Sequence, residues 1–172
     1  MQNQQPVDLE AIAWSAMEHY GFIPAFPPSV LREVNSLAAD TLPAISSDRR
    51  DLRSLLWSSI DNYDSRDLDQ IEVCAGGPGG EIRVRVAIAD VDAYVPKGSR
   101  TDRHAAHNGT SVYTGVTTFP MLPDRLSAGI TSLLPGREHM AVVIEYAVLP
   151  DGSVRPGEIY RAIVTNRAKL VY

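Results

Sequence analysis

The chain has 172 residues, 44% hydrophobic and 22% charged, enough for one domain with a core and too apolar for bulk disorder. Its formal net charge is −5, from 16 Lys and Arg against 21 Asp and Glu. That is the wrong sign for a protein that merely coats nucleic acid, whereas a local basic groove or bound cations leave a nucleic-acid enzyme open.

One cysteine, Cys74, rules out an intrachain disulfide and a cysteine-rich zinc site, and it reads as a small apolar residue rather than a nucleophile. No apolar run reaches the roughly 20 residues a membrane helix needs, and the first residues lack the basic start and apolar core of a secretory signal. A cytoplasmic protein with no membrane partner is expected.

Residues 7–21 read as a helix. Asp8 is placed to cap it, Ile12, Ala13, Ala16, Met17 and Tyr20 recur at helical spacing, and Gly21 ends the run. A proline-rich connector follows, then a second helix over residues 29–39 with Ser29 as its cap. Two helices and a turn suggest DNA reading, but the second helix has one Arg and no Lys, which favours a packing or RNA-guiding appendage. Residues 1–50 are therefore read as a helical leader.

From Asp51 the texture changes. Residues 55–60 suit a buried strand. Residues 71–73 and 81–90, either side of a glycine-rich loop, suit a β-hairpin, and 141–149 with 153–163 suit a second pair around Asp151-Gly152. The glycine run is no phosphate loop, because no Lys-Ser or Lys-Thr follows it. An α/β domain with a mixed, mostly antiparallel sheet and flanking helices is expected over residues 51–172.

Between the first two strands Asp61, Asp64, Asp67 and Asp69 fall within nine residues. Crowded carboxylates repel, and a hard cation such as Mg²⁺ relieves that repulsion while taking only one or two protein oxygens. A solvated surface turn is the alternative. An EF-hand is not, since the required Gly and terminal Glu are missing.

The surrounding words narrow the choice. Ser59-Ile60-Asp61, then Asp67-Leu68-Asp69, resembles the acidic signature of the ribonuclease II and ribonuclease R family of 3′-to-5′ exoribonucleases. Ile88-Ala89-Asp90-Val91, Gly109-Thr110-Ser111-Val112-Tyr113, Phe119-Pro120-Met121-Leu122-Pro123, Leu126-Ser127 and Ser132-Leu133 resemble that family's successive blocks, in order. The resemblance implies the first half of an RNB-type catalytic domain that hydrolyses single-stranded RNA to nucleoside 5′-monophosphates with Mg²⁺. It implies Asp61, Asp67, Asp69 and Gln70 at the metal, with Asp67 and Asp69 catalytic and Asp69 indispensable. Tyr113 would stack on the last nucleotide, Asp64 is a turn residue, and Asp90 is expected to fix a strand end rather than bind metal.

Three features depart from the family pattern. Gln70 stands where a fourth Asp is usual; Ala87 and Asn108 replace a frequent His and Arg, which would weaken substrate contacts; and the leader stands where cold-shock RNA-binding domains are usual. Residues 168–172 lie in the middle of what resembles the family's next helix. The other half of the domain, with an arginine and a glutamate that assist cleavage, is expected from the remainder of the protein or a complementary chain, and the chain alone is expected to be inactive. The alternative function is a non-catalytic RNA-binding or regulatory protein on the same fold.

Overall fold

The computed structural model describes residues 7–38 and 48–172. They fall into two compact units, one drawn from 7–37 and 95–124, the other from 38, 48–94 and 125–172. Among the described residues no helix is long and apolar enough to cross a membrane.

The first unit holds both leader helices. Helix α1 (Leu9–His19) is capped by Asp8, whose Oδ1 accepts from the Ala11 N–H at 3.0 Å, and it unwinds at Gly21, where φ is +82°. Helix α2 (Pro28–Asn35) begins earlier than the sequence suggests. Pro27 is its cap, and Ser29 lies inside the first turn, because the φ fixed by Pro28 already suits a first helical residue. It also ends earlier, at Asn35 with Ser36 as its C-cap, short of the expected end at Ala39, which itself lies outside the described residues.

Helix α2 buries Val30 and Val34 and packs against α3 (Arg100–Asn108). Its Glu33 carboxylate accepts from the backbone N–H groups of Arg100 and Thr101, both at 3.0 Å, so it closes the N-terminus of α3 alongside the N-cap Ser99. Burial alone would push the Glu33 carboxyl up, but these bonds and those from the Thr101 and Ser99 side chains outweigh it and hold the group at about 2. Strands β5 (Val112–Tyr113) and β6 (Thr118–Phe119) form a small ribbon, and Trp14 stands edge-on to Phe119 at 5.3 Å.

The second unit is a sheet of six strands in the order β1-β8-β2-β3-β4-β7. These are β1 (Arg50–Asp51), β2 (Trp57–Asp61), β3 (Gln70–Gly76), β4 (Ile82–Ala89), β7 (Glu138–Val148) and β8 (Val154–Val171). Only β1 and β2 run parallel to β8; every other pairing is antiparallel. The two expected hairpins are present, β3–β4 across the glycine loop and β7–β8 across Asp151-Gly152.

Because β8 pairs with β7 along its first part and with β2 along its last, the sheet closes into a ring of β2, β3, β4, β7 and β8. One correction follows for residues 168–171. They form no helix; they extend β8 alongside β2, where backbone groups find partners about a hundred residues earlier in the chain. Trp57, Ile71, Ala87, Val143 and Val164 alternate onto the inner face and form the core with Leu68 and Leu133. Ile82, Ile88, Ile144 and Ile159 stay exposed.

Candidate active site

Asp61 is the last residue of β2, a strand held on both sides by β3 and β8. Trp57 anchors the start of that strand in the core and donates from Nε1 to the Leu52 carbonyl at 2.9 Å. Past Asp61 the chain leaves the sheet, and its first turn is tied by the Asp61 carboxylate itself. Oδ1 accepts from the Asn62 N–H at 2.7 Å and from the Ser65 hydroxyl at 2.6 Å. Asp64 sits exposed in this turn, as a turn residue should.

The rest of the loop is gripped from below. The Lys169 ammonium, on β8, donates to the carbonyls of Tyr63 (2.9 Å) and Ser65 (2.6 Å). The Ser132 hydroxyl donates to the Arg66 carbonyl at 2.7 Å and accepts from the Leu68 N–H at 3.0 Å, fixing the peptides on either side of Asp67. Leu68 is buried in the core, and its carbonyl accepts from Leu133 N–H at 2.8 Å. The fully buried Asn166 ties the same region together, donating to the Leu133 carbonyl and the Ser59 hydroxyl. Finally the Asp69 carbonyl accepts from Ala89 N–H at 2.9 Å, and Gln70 opens β3 opposite Ile88.

Asp67, Asp69 and Gln70 are thus presented at the surface by a loop whose backbone is fixed at nearly every step. Among the described residues, Asp61 Oδ2 and both carboxylate oxygens of Asp69 have no hydrogen-bond partner. The Glu72 carboxyl on β3 is pushed up by burial and then by the negative charge of Asp69, so the field here is negative. No three His, Cys, Asp or Glu side chains converge as a ready-made metal cage among the described residues. Mg²⁺ does not require one: it takes one or two carboxylates and fills its octahedron with water and substrate phosphate. The open oxygens of Asp61 and Asp69 fit that demand.

The remaining sequence candidates divide clearly. Tyr113 lies on β5 in the other compact unit and is 68% exposed, which a core aromatic would not be. Asp90 is buried at the end of β4, bonded to Arg49 at 2.8 Å and 3.7 Å from Arg161, so it fixes a strand end as expected. Cys74 lies within β3 and is exposed, not packed as a small core residue.

A model of the RNB domain matches residues 49–172. The chain belongs to the RNB family. Ribonuclease R of Thermotoga maritima is 36% identical over 147 residues, covering 86% of this chain and 21% of that protein. Ribonuclease R of Mycoplasma genitalium, solved with ribose-methylated single-stranded RNA, superposes with a TM-score of 0.86 at 30% identity, over 96% of this chain and 26% of that one. The same protein solved with double-stranded RNA gives the same score. The chain spans about a fifth of the length of the curated ribonuclease R relatives it matches.

Two differences from the usual RNB pattern acquire structural meaning. Ala87 is fully buried in the core, so a smaller side chain there bears on packing and not on substrate contacts, contrary to the sequence expectation. Asn108 clasps Ile23, accepting from its N–H and donating to its carbonyl, both at 3.0 Å, a role in joining the connector to α3. Sequence reasoning passed over Lys169, Ser132 and Asn166. Ser132 stood inside a recognised RNB block, but nothing in the sequence shows that its hydroxyl brackets Asp67.

Proposed function

We propose that this RNB domain carries the metal-binding half of the active site of a Mg²⁺-dependent 3′-to-5′ exoribonuclease, cytoplasmic, releasing nucleoside 5′-monophosphates from single-stranded RNA. The observation that carries it is a loop of fixed backbone presenting Asp61 and Asp69 with uncommitted oxygens inside the RNB match. Mg²⁺, when bound, would polarise the scissile phosphate and offset the charge that develops there. The RNB resemblance assigns Asp61, Asp67, Asp69 and the Gln70 amide to it; of these, Asp61 and Asp69 offer the open oxygens, with Asp67 and Asp69 orienting the reacting groups. Exposed Tyr113 supplies a face on which any terminal base can stack, giving grip without sequence preference.

Residues 51–172 form the first half of the catalytic domain in this reading, and residues 1–50 its leader. The groups completing the site come from the remainder of the protein or a complementary chain, in keeping with relatives far longer than the match. A second reading, a non-catalytic RNA-binding protein on the same fold, draws on Gln70, which removes a charge from the metal set. Asp69→Asn in the full reading frame separates them. Hydrolysis should fall by on the order of 10²- to 10³-fold or more, with RNA affinity and melting temperature near wild type. Mononucleotide release at the wild-type rate would remove Asp69 from catalysis, and a wild type that binds RNA without Mg²⁺-dependent release would favour the second reading.

A further inference from the structure

We infer that Lys169 is a positioning residue for the acidic loop: its ammonium, set on β8, holds Asp61 in the geometry that receives the cation. The inference rests on the proposed role of that loop. Strand β8 runs parallel to β2 with Lys169 opposite Ser59, two residues before Asp61, so a side chain reaching forward along the strand arrives under the loop that leaves β2. Two of its N–H groups are used there, on the carbonyls of Tyr63 at 2.9 Å and Ser65 at 2.6 Å. Ser65 is also the residue whose hydroxyl holds Asp61 Oδ1 at 2.6 Å. A continuous path therefore runs from Lys169 through Ser65 to the one carboxylate oxygen that is tied, leaving Oδ2 for a ligand. The same ammonium places a positive charge beneath a loop with four Asp residues, and so lowers their mutual repulsion while no cation is bound.

A neutral truncation at this position leaves two carbonyls without their donor and loosens the turn, but removes nothing from the core, since the lysine side chain is only partly buried. The loss should fall on the site. The experiment compares wild type, Lys169→Ala, Lys169→Arg and Asp69→Asn in the full reading frame. It measures kcat and KM on a single-stranded oligoribonucleotide, the Mn²⁺ concentration that half-saturates the protein (by loss of the free-ion magnetic resonance signal), and the melting temperature. For Lys169→Ala we expect kcat to fall about 10- to 100-fold, the range that a small misplacement of reacting groups produces, with KM unchanged, a several-fold weaker Mn²⁺ midpoint and near wild-type melting. Lys169→Arg should restore most of both losses, because a guanidinium can also span two carbonyls. An unchanged Mn²⁺ midpoint and kcat overturn the inference, as does a loss that tracks the melted fraction and is not rescued by arginine. Asp69→Asn keeps the two levels apart: if it remains active, the catalytic reading fails; if it is inactive while Lys169→Ala is not, only the role of Lys169 fails.

Discussion

Two sets of carboxylates in the same unit are handled in opposite ways. Asp90 is 3% exposed, bonded to Arg49, whose side chain is 6% exposed, and approached by Arg161. Its charge is answered inside the protein. Asp61 and Asp69 are held instead by neutral donors, or by their own backbone, and keep oxygens without partners. A carboxylate buried against guanidinium is a structural device, because removing either partner strands a charge. A carboxylate at the surface on a fixed loop is repelled by its neighbours until something positive arrives. Acidity alone therefore does not mark a site; what matters is whether the opposing charge is already present.

Substitutions in the two sets of carboxylates should have opposite consequences. Asp69→Asn, the largest effect, should remove catalysis and leave stability. Arg49→Met should do the reverse, costing up to about 3–5 kcal/mol because Asp90 would remain buried with only Arg161, at 3.7 Å, to answer its charge. Chemical denaturation reads it, and the folded variant should keep its Mg²⁺ requirement. A stable Arg49→Met protein with a collapsed kcat would mean that the ion pair serves the site and that the division is wrong.

Glu33 presents a third arrangement, a carboxylate answered by a helix N-terminus. Its folded value of about 2 lies below the ordinary 4.5, so the unfolded state takes up a proton first as pH falls. The stabilisation is therefore complete above pH 4.5 and is lost as pH falls from there toward 2. Glu33→Gln should cost about 0.5–2 kcal/mol, the range for a helix cap, in melts at pH 7. The gap between the two proteins should close across that acidic window. A gap that stays constant with pH would show that the charge contributes nothing.

What the sequence revealed follows the range of the interactions. The two hairpins were readable because alternation and turn residues are local: Asp151-Gly152 lies between two strands that pair with each other. The last stretch of β8 was not, since Ala168, Lys169 and Leu170 are all good helix formers, and the partner that makes them a strand is β2. The α2 cap was misplaced for a smaller reason, that Ser29 is a better cap by type while Pro28 fixes the backbone first. At the site the acidic spacing was legible, and the RNB resemblance gave its roles. The supports were not, because Lys169 and Ser132 bind backbone carbonyls and N–H groups, which every residue has and no motif records.

Gln70 offers the smallest and finest test. It opens β3 at the surface, beside Asp69, and its side chain has no hydrogen bond among the described residues, so a substitution there disturbs no packing. An amide oxygen can coordinate Mg²⁺ but brings no charge, and each added carboxylate deepens the attraction for a hard cation. Gln70→Asp should therefore lower the Mg²⁺ concentration for half-maximal hydrolysis by up to about tenfold, equivalent to about 1.4 kcal/mol. The gain is limited from the other side, because a new carboxylate next to Asp69 and near Glu72 adds repulsion in the metal-free protein. A Mg²⁺ titration at fixed RNA decides it. A lower midpoint with kcat unchanged places residue 70 at the cation; a midpoint that stays or rises means that it faces elsewhere and that repulsion is all the substitution adds.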